Sequence, residues 1–442
     1  MDRAQNKRLL MLTHRFPYPP NRGDRIRSYN LLRVLSDHFC VTLGSTTDEL
    51  ICPDDLAHVE SFCEDVCVES VGRYRRVGRA LKSYASRRSL TEGMFSSPEL
   101  ARRVLRWQQH RRFDAVLVFC SSMFPYVDQT PFDNTPKVVD LVDVDSQKWR
   151  QMSQDSRSPK KFLYATEAVR VRKLESRIAN RSDALVLVSN HEAELFRQTV
   201  SSPSLSETPV YGISNGVDTQ YFSPSLDLSE PFEAPRWPLG PRISPLVTST
   251  LPSLSLVFTG VLDYRPNVEG IDWFCKQILP AMRSTVNVRL AIVGRRPCKR
   301  VLDLASVEGV SVVGEVPDVR PYLQAADVAI SPLKLARGIQ NKVLEAMAVA
   351  LPVVVTSQSA EGIDAVSGNE FVIADTIQQW QAALQWMASA PDERVRMGCA
   401  GRRLVEAEYS WSARLAKFVE LIGSCALSGA PDQSSQPLVG TV

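Results

Sequence analysis

The sequence contains no long apolar run. A membrane-spanning helix needs about 20 consecutive apolar residues, whereas the apolar runs here, such as Val116–Cys120 and Leu185–Val188, have the length of strands. The basic N-terminus precedes only a short apolar stretch, Leu9–Leu12, which is too short for the core of a signal peptide. We therefore expect no membrane span and no secretory signal.

Cysteine is sparse and scattered. The nine cysteines are odd in number and include no CxxC pair, which weighs against a disulfide framework and favours a reducing compartment. The spacing of Cys63 and Cys67 predicts that they share a face of a helix, where they would form a zinc corner with His58, but no CxxC pair and no fourth ligand support such a site. The sequence thus predicts a cytoplasmic protein without a metal site.

The usual fingerprints of nucleotide and nucleic-acid binding are also missing. Neither the G-x-G-x-x-G pattern of dinucleotide-binding folds nor a P-loop occurs. The 52 basic and 49 acidic residues leave a net charge of +3, too even for wholesale binding of nucleic acid. With 44% hydrophobic and 23% charged residues, the chain is globular, and its length fits two domains.

Short apolar runs alternate with amphipathic stretches along most of the chain, a pattern typical of a parallel sheet covered on both faces. We predict strands and helices over these segments: Arg8–Thr13, helix Asp24–Ser36, Phe39–Ser45, Asp114–Cys120, Lys137–Val144, helix Lys161–Ala179, Ala184–Val188, Ser255–Thr259, helix Val268–Met282, Val288–Val293, helix Cys298–Ala305, Val310–Val313, helix Val319–Ala325, Asp327–Ser331, helix Ile339–Ala350 and Pro352–Thr356.

A change of composition separates two such series. Seven prolines and many serines lie between Pro224 and Pro252, which indicates a linker or a long surface excursion. We predict a first Rossmann-like domain over residues 1–225, a linker over 226–253, a second Rossmann-like domain over 254–408, a closing helix over 409–427 and a disordered tail over 428–442. Doubly wound domains bind ligands at the carboxyl ends of their strands, so we expect a cleft lined by those loops.

Two loops carry the residue types of an anion site. The first runs from His14 to Arg25 and reaches Gly23 and Asp24 at the start of a helix, where the helix dipole favours an anion; a stiff surface loop is the alternative. The second ends at Gly338 before a helix that carries Lys342 and Glu345. There the lysine suits a phosphate and the glutamate suits two ribose hydroxyls, with a plain i,i+3 ion pair as the alternative.

The order of many short motifs resembles the GT-B glycosyltransferases, in particular the retaining glycosyltransferase family 4 and its branch that accompanies bacterial exopolysaccharide and PEP-CTERM systems. The resemblance covers roughly residues 8–424. Its motifs are Pro17–Pro20, Gly23–Asn30, Asp140–Trp149, Val188–Ser189, Ser214–Asp218, Phe258–Gly260, Tyr264–Asn267, Ile292–Gly294, Gly314, Ala326–Asp327, Ser331–Pro332, Lys342–Met347 and Pro352–Val354.

The resemblance implies a nucleoside diphosphate sugar bound mainly by the C-terminal domain and an acceptor held mainly by the N-terminal one. Glu345 matches the glutamate that holds the ribose, and Gly23 matches the loop glycine that faces the diphosphate. Arg265 and Lys342 are the available cations for the leaving diphosphate. The remaining predicted substrate contacts are Asp24, Gly260, Gly294, Arg295, Gly338, Ile339, Gln340 and Asn341.

One position departs from the family pattern. Many members carry a second glutamate eight residues before the ribose-binding one, and Arg337 stands there in this chain. Backbone amides around Gly338–Gln340 are then expected to hold the donor sugar. The second domain lacks a D-x-D cluster, and the family needs neither metal nor cofactor. Asp143 and Asp145 do form such a pattern after a first-domain strand, where they would orient the acceptor hydroxyl or the donor sugar, or cap a helix.

Residues 72–112 are strongly basic. Twelve Lys and Arg face only Glu92 and Glu99, a local charge of 12 − 2 = +10. Within Arg73–Tyr84, the apolar Tyr74, Val77, Leu81 and Tyr84 fall on one helical face. This pattern is typical of a helix that contacts anionic lipid or a lipid-diphosphate acceptor, with a merely solvated face as the alternative.

Together these features predict a cytoplasmic, metal-independent, retaining GT-B hexosyltransferase at the inner face of the membrane. It would move a sugar from a nucleoside diphosphate to a saccharide or polyprenyl-linked acceptor in surface polysaccharide synthesis. Trp411, at the start of the closing helix, is expected to pack that helix back onto the first domain. A non-catalytic scaffold and a GT-B sugar-nucleotide epimerase are the alternatives, although only five histidines are present for the latter.

Overall fold

A computed structural model describes residues 7–154, 156–200, 208–224, 251–336 and 338–428. The chain divides into two compact units: residues up to Asn215 together with those from Arg414 onward, and Gly216–Ala413. Most of the predicted linker and tail, and Arg337, lie outside the described residues.

The first unit is built on seven parallel strands in the order β3-β2-β1-β4-β5-β6-β7. Leu9 of β1 lies opposite Val41 of β2 and Ala115 of β4. The strand order therefore reverses direction between β1 and β4. The strands are β1 Arg8–Thr13, β2 Cys40–Thr47, β3 Asp65–Ser70, β4 Ala115–Phe119, β5 Lys137–Val142, β6 Ala184–Leu187 and β7 Val210–Gly212.

The strands of this sheet are apolar because helices cover both of its faces. Every residue from Leu9 to Leu12 is fully buried, as are all five residues of β4. The helices are α1 Gly23–Ser36, α2 Pro53–Glu60, α3 Arg73–Ala85, α4 Leu90–Met94, α5 Pro98–Arg111, α6 Asp145–Gln154, α7 Lys160–Arg181 and α8 Asn190–Thr199.

The second unit repeats the design with six parallel strands in the order β10-β9-β8-β11-β12-β13, which reverses between β8 and β11. The strands are β8 Ser253–Thr259, β9 Asn287–Val293, β10 Val310–Gly314, β11 Val328–Ser331, β12 Val353–Val355 and β13 Val372–Ile373. The helices of this unit are α9 Arg265–Trp273, α10 Leu279–Met282, α11 Lys299–Leu302, α12 Arg320–Gln324, α13 Asn341–Ala348, α14 Ser357–Ala360, α15 Ile377–Ser389 and α16 Pro391–Leu404. The closing helix α17, Trp411–Ser428, begins at the end of this unit and belongs to the first unit from Arg414 onward.

The predicted strands and helices are confirmed within a few residues, with two corrections. The predicted helix Val268–Met282 is interrupted by a π-helical segment, Phe274–Ile278, because Pro280 has no N–H to continue the regular hydrogen-bond ladder. The half-buried strand β3, at the edge of its sheet, has too few fully buried side chains to give a clear apolar run. Because Cys67 lies in β3 and Cys63 precedes it, the two cysteines do not share a helical face.

The closing helix returns to the first unit, as the predicted fold requires. Phe418 of α17 is fully buried, and its ring lies 5.6 Å from the guanidinium carbon of Arg27 in α1. The Lys7 ammonium also donates to the backbone oxygen of Gly423 at 3.4 Å. The first unit is therefore assembled from both ends of the chain. Both units together confirm the GT-B fold class.

Arg27 forms the most deeply buried ion pair of the first unit. Its Nε donates to Asp140 Oδ2 at 2.7 Å, its Nη1 donates to Asn215 at 2.9 Å, and both charged side chains are at most 1% exposed. Burial raises the pKa of Asp140, and the Arg27 charge counteracts this shift. Through these contacts Arg27 connects α1 with β5, with Asn215 at the end of the first stretch of this unit, and with α17.

We predict that Arg27→Met lowers the free energy of unfolding of the first unit by about 3–5 kcal/mol, because it leaves Asp140 buried without its counter-charge. Urea unfolding monitored by circular dichroism measures the change. The double variant Arg27→Met/Asp140→Leu should recover much of the loss. A loss below about 1 kcal/mol in the single variant would contradict this account.

Candidate functional site

In the second unit, the site lies where the strand order reverses, between β8 and β11. Ligands of doubly wound sheets bind at the carboxyl ends of the strands at such a point. Gly260 follows β8, Gly294 follows the neighbouring β9, and α13 follows β11 with Lys342 in its first turn. The fold thus brings together segments that are about 80 residues apart in sequence.

The two glycines allow the backbones to approach each other and leave room beside the lysine. A Cβ atom at Gly294 would overlap the carbonyl oxygen of Gly260, so only glycine fits there. A Cβ at Gly260 would lie 2.9 Å from the Asn267 amide nitrogen and 3.1 Å from the Lys342 ammonium nitrogen. A side chain at Gly260 would therefore occupy the space beside the lysine, whereas one at Gly294 would collide with the backbone of Gly260.

Lys342 is hydrogen-bonded to a neutral amide and has no ion-pair partner in the described part of the chain. Its Nζ donates to Asn267 Oδ1 at 2.5 Å and lies 4.5 Å from the centre of the Phe258 ring. The amide of Asn267 is oriented by its own Nδ2, which donates to the backbone oxygen of Val261 at 2.8 Å. Burial lowers the pKa of Lys342 to about 7, and the nearby Glu345 offsets only part of this shift. In its protonated form Lys342 therefore has no carboxylate within ion-pair distance among the described residues.

Glu345 lies one turn further along α13 and is half-buried. Burial raises its pKa to about 7, against the attraction of Lys342. Within the described parts of the chain, the two side chains do not come within ion-pair distance, so the alternative of a simple i,i+3 salt bridge does not describe them. Two titratable groups with pKa values displaced toward neutrality mark this point of the sheet as a candidate functional site.

The other predicted site residues of this unit make contacts that do not involve Lys342. Arg265 lies at the start of α9, where its side chain is 80% exposed and pairs with Glu269 at 2.7 Å. Arg295 is also exposed, and its backbone oxygen accepts from Leu262. The loop before α13 contains Gly338, whose φ is +65°, together with Ile339, Gln340 and Asn341. The Gln340 amide donates to the backbone oxygen of Gly338.

In the first unit, the loop after β1 folds around Asp24. Arg15 donates to this carboxylate at 2.7 Å, and His14 Nε2 lies 3.4 Å from it. These contacts hold the pKa of Asp24 well below its usual range, mainly through His14. Gly23 begins α1 and is exposed, and no atom lies within 4 Å of where a Cβ would stand. The side chain of Asp24 is thus engaged within the loop, while Gly23 is open.

The predicted pair Asp143 and Asp145 follows β5. Lys148 donates to Asp143 at 2.6 Å and lies 3.6 Å from Asp145, which also accepts from the Ser121 hydroxyl. Burial raises the pKa of Asp145, and Lys148 opposes that shift.

A different pair of carboxylates binds the backbone at the start of α6. Glu192 accepts from the N–H of Val144 and Glu175 accepts from the N–H of Ser146. These two glutamates satisfy the helix start, so the carboxylate of Asp145 is left to face Ser121 and Lys148.

Two residues near these sites were missed by the sequence analysis as site residues. Asn267 stands inside a motif that was noted only for its resemblance, and the structure places it on Lys342. His14 immediately follows β1 at the point where the first sheet reverses. Its ring stacks on Phe119 and meets Phe95 edge-on. The sequence signal for His14 as a site residue is its position directly after the first strand.

Within the described residues, no group of three His, Cys, Asp or Glu side chains is placed to hold a metal ion. No helix of the described part of the chain is long and apolar enough to cross a membrane.

Comparison with known proteins supports a glycosyltransferase. Residues 253–389 match the family model described as glycosyl transferases group 1. This match spans the β8–α15 region that contains Gly260, Asn267, Lys342 and Glu345.

Solved structures share the fold over nearly the whole chain. Sucrose-phosphate synthase from Thermosynechococcus elongatus has a TM-score of 0.58 at 16% identity, covering 96% of this chain and all of that one. HepE from Anabaena in complex with UDP has a TM-score of 0.56 at 13% identity, covering 95% of this chain and all of that one. A trehalose 6-phosphate synthase from Burkholderia multivorans has a TM-score of 0.58 at 12% identity, covering 96% and 100%.

One sequence relative is an uncharacterized 44.6 kDa protein encoded in the cps region of Klebsiella pneumoniae. It is 19% identical over 379 residues, which cover 83% of this chain and 87% of the relative.

We predict that Lys342→Met raises the free energy of unfolding of the second unit, because the wild-type protein buries an ammonium group without a counter-charge. The lowered pKa means that the unfolded chain binds more protons between pH 7 and 10.5, so wild-type stability rises with pH there. The gain should therefore be about 1–2 kcal/mol at pH 7 and smaller at pH 9.

Thermal and urea unfolding at both pH values measure this gain. Lys276→Met is the matched control, since Lys276 is 56% exposed and paired with Asp272. A destabilised Lys342→Met protein, or equal effects of the two substitutions, would contradict the interpretation of Lys342.

Proposed function

We propose that this protein transfers a hexosyl unit from a nucleoside diphosphate sugar to a saccharide or polyprenyl-linked acceptor. The observation that carries the proposal is the unneutralised Lys342, which lies beside Gly260 where the strand order of the second unit reverses. This arrangement suits a diphosphate, which brings the missing negative charge to the lysine. Support comes from the glycosyltransferase family model, which covers the same residues, and from HepE, whose structure contains UDP.

The proposal gives a role to each predicted site residue of the second unit. Lys342 in its protonated form binds the diphosphate, and the N-terminus of α13 adds its dipole. Glu345 accepts hydrogen bonds from two ribose hydroxyls, which favours its charged form. Gly260 and Gly294 admit the nucleotide close to the backbone, Arg295 lies toward the base, and the segment Gly338–Asn341 holds the donor sugar. Arg265 can assist the diphosphate only after it leaves Glu269.

The first unit would bind the acceptor. In this proposal Asp145 and Asp143, with Lys148 between them, orient the hydroxyl that attacks. Gly23 approaches the diphosphate as backbone, and Asp24 fixes the loop that presents it. The side chains of His14 and Arg15 lower the pKa of Asp24 and so keep its carboxylate ionised.

The transfer breaks the bond between the anomeric carbon and the diphosphate oxygen and forms a bond from that carbon to the acceptor oxygen. The acceptor proton leaves with the diphosphate, on which negative charge develops. Lys342 and the α13 amides stabilise that charge more in the transition state than in the ground state. We propose that the reaction retains the anomeric configuration by front-face attack and needs no metal or other cofactor, as the resemblance to family 4 implies.

The proposed setting is surface polysaccharide synthesis at the cytoplasmic face of the membrane. The relative encoded in the cps region of Klebsiella pneumoniae supports it, as does the resemblance to the branch that accompanies exopolysaccharide and PEP-CTERM systems. The basic segment 72–112, with its charge of +10, would bring the enzyme to anionic lipid and a lipid-linked acceptor.

We predict that Glu345→Ala lowers kcat/KM for donor hydrolysis or transfer at least 100-fold, because the ribose hydroxyls lose their acceptor. The donor is first selected by thermal-shift screening with UDP-, GDP- and ADP-glucose. Glu308→Ala, at an exposed position of the same unit, is the matched control and should keep wild-type turnover. Turnover of Glu345→Ala above half of the wild-type value would refute the role of this residue.

We also predict a pH-dependent proton exchange when the nucleotide binds. The diphosphate favours charged Lys342, so binding at pH 8 should take up protons; the ribose favours charged Glu345, so binding at pH 6 should release them. Titration calorimetry with UDP-glucose, or with the donor found by screening, in buffers of different ionisation enthalpy measures both signs. Lys342→Gln should abolish the uptake at pH 8. Equal proton exchange in wild type and variant would exclude Lys342 as its source.

A further inference from the structure

The first unit exposes apolar side chains in two separate stripes. On α3, Tyr74 is 92% exposed and Leu81 is 61% exposed, with Val77 between them. On α7, Phe162 is 69% exposed and Val169 is 58% exposed. Spacings of three, four and seven residues place each set along one side of its helix. The α7 stripe was not part of the sequence prediction, and the mechanism proposed above does not use it.

The two helices belong to one packed group. Helices α3 and α4 pack closely: a Cβ atom added at Gly93 of α4 would lie 2.7 Å from the Cα of Ala80 in α3. The first amides of α4, at Leu90 and Thr91, donate to Glu167 of α7 at 2.8 and 3.0 Å. α4 is thus held between α3 and α7, which fixes both stripes on one rigid part of the unit.

A direct contact between α3 and α7 shows how the stripes are disposed. The Arg170 guanidinium lies over the Tyr84 ring, 3.8 Å from its centre, and donates to the backbone oxygens of Tyr84 and Arg88. At 3.6 residues per turn, Arg170 lies between the exposed Val169 and the buried Val171 around the axis of α7. On α3, Tyr84 likewise lies between the exposed Val77 and the buried Ala80. The two stripes therefore flank one contact and both remain exposed.

Positive charge surrounds both stripes. Residues 73–88 contain seven Lys and Arg and no acidic residue; residues 157–173 contain six Lys and Arg, and their one acidic residue, Glu167, is the buried cap of α4. Arg76 and Arg79 pair with Asp48 and Glu99. Among the described residues, no carboxylate comes within ion-pair distance of the other cations beside the stripes, which are Arg75, Lys82, Arg87, Arg88, Lys160, Lys161 and Lys173.

We propose that α3 and α7 together form one surface that docks on an anionic lipid bilayer, with Phe162, Leu163 and Val169 inserting beside Tyr74, Val77 and Leu81. Exposed apolar side chains on helices that also carry unpaired cations complement the acyl region and the anionic headgroups of such a bilayer. This inference rests on the membrane contact included in the proposed function and extends it to α7. A protein partner of ordinary polarity would leave this many cations without counter-charges.

Vesicle sedimentation of the full-length protein tests the surface. The vesicles are phosphatidylcholine with about 30% phosphatidylglycerol, and pure phosphatidylcholine serves as the uncharged comparison. We expect Phe162→Ser/Val169→Ser to lower the partition coefficient at least about fivefold, as does Val77→Ser/Leu81→Ser. Val395→Ser is the matched control, since Val395 is 66% exposed on α16 of the other unit, and it should bind as wild type. Each variant is first checked for an unchanged melting temperature.

The outcomes separate this inference from the proposed function. Wild-type vesicle binding by Phe162→Ser/Val169→Ser would overturn the role of α7, while a loss in the α3 variant alone would leave the membrane contact of residues 72–112 standing. Equal binding to charged and uncharged vesicles would overturn the role of the cations. Breakdown of a wild-type oligomer by the α7 substitutions, with unchanged vesicle binding, would assign the stripe to self-association instead. The thermal shift with nucleotide should be the same in all variants, because none of these residues lies in the donor site.

Discussion

The candidate site of the second unit is organised around one side chain, the Lys342 amine, which has no carboxylate within ion-pair distance among the described residues. Lys342 comes from the helix after one strand and points to the glycine after another, and its hydrogen bond goes to the neutral amide of Asn267. Burying a charge in this way costs stability. In the proposed function, the negative charge of the diphosphate offsets this cost.

The surrounding residues follow from that constraint. Gly294 has to lack a side chain because the backbone of Gly260 occupies that space, and Gly260 has to lack one because Asn267 and Lys342 lie beside it. Asn267 has to be oriented by Val261, because the reversed amide would present a donor to the ammonium group. In the first unit, the carboxylates are paired with cations instead: Asp24 with Arg15, Asp143 with Lys148, and the buried Asp140 with Arg27.

Much of the architecture could be predicted because parallel strands buried on both faces must be continuously apolar. Strands such as Arg8–Thr13 and Asn287–Val293 satisfy this condition and were recognised. The edge strand Asp65–Ser70 is only half-buried and therefore carries no such signal. Of the site, Lys342 and Glu345 could be selected by residue type and helix position. Asn267 could not, because an amide that acts by contacting a lysine 75 residues away has no local signature. The stripe on α7 could not be predicted, because an apolar side chain in a helix ordinarily faces the core, whereas Phe162 and Val169 are exposed.

The central claim is that the edge of the second sheet binds the nucleotide part of a sugar donor. Hydrogen exchange measured by mass spectrometry, with and without a saturating concentration of the nucleotide sugar that stabilises the protein, tests it most directly. This account predicts slowed exchange in peptides that cover residues 260–267, 292–295 and 338–345. A nucleotide sugar that stabilises the protein but slows exchange only in peptides from the first unit would contradict it.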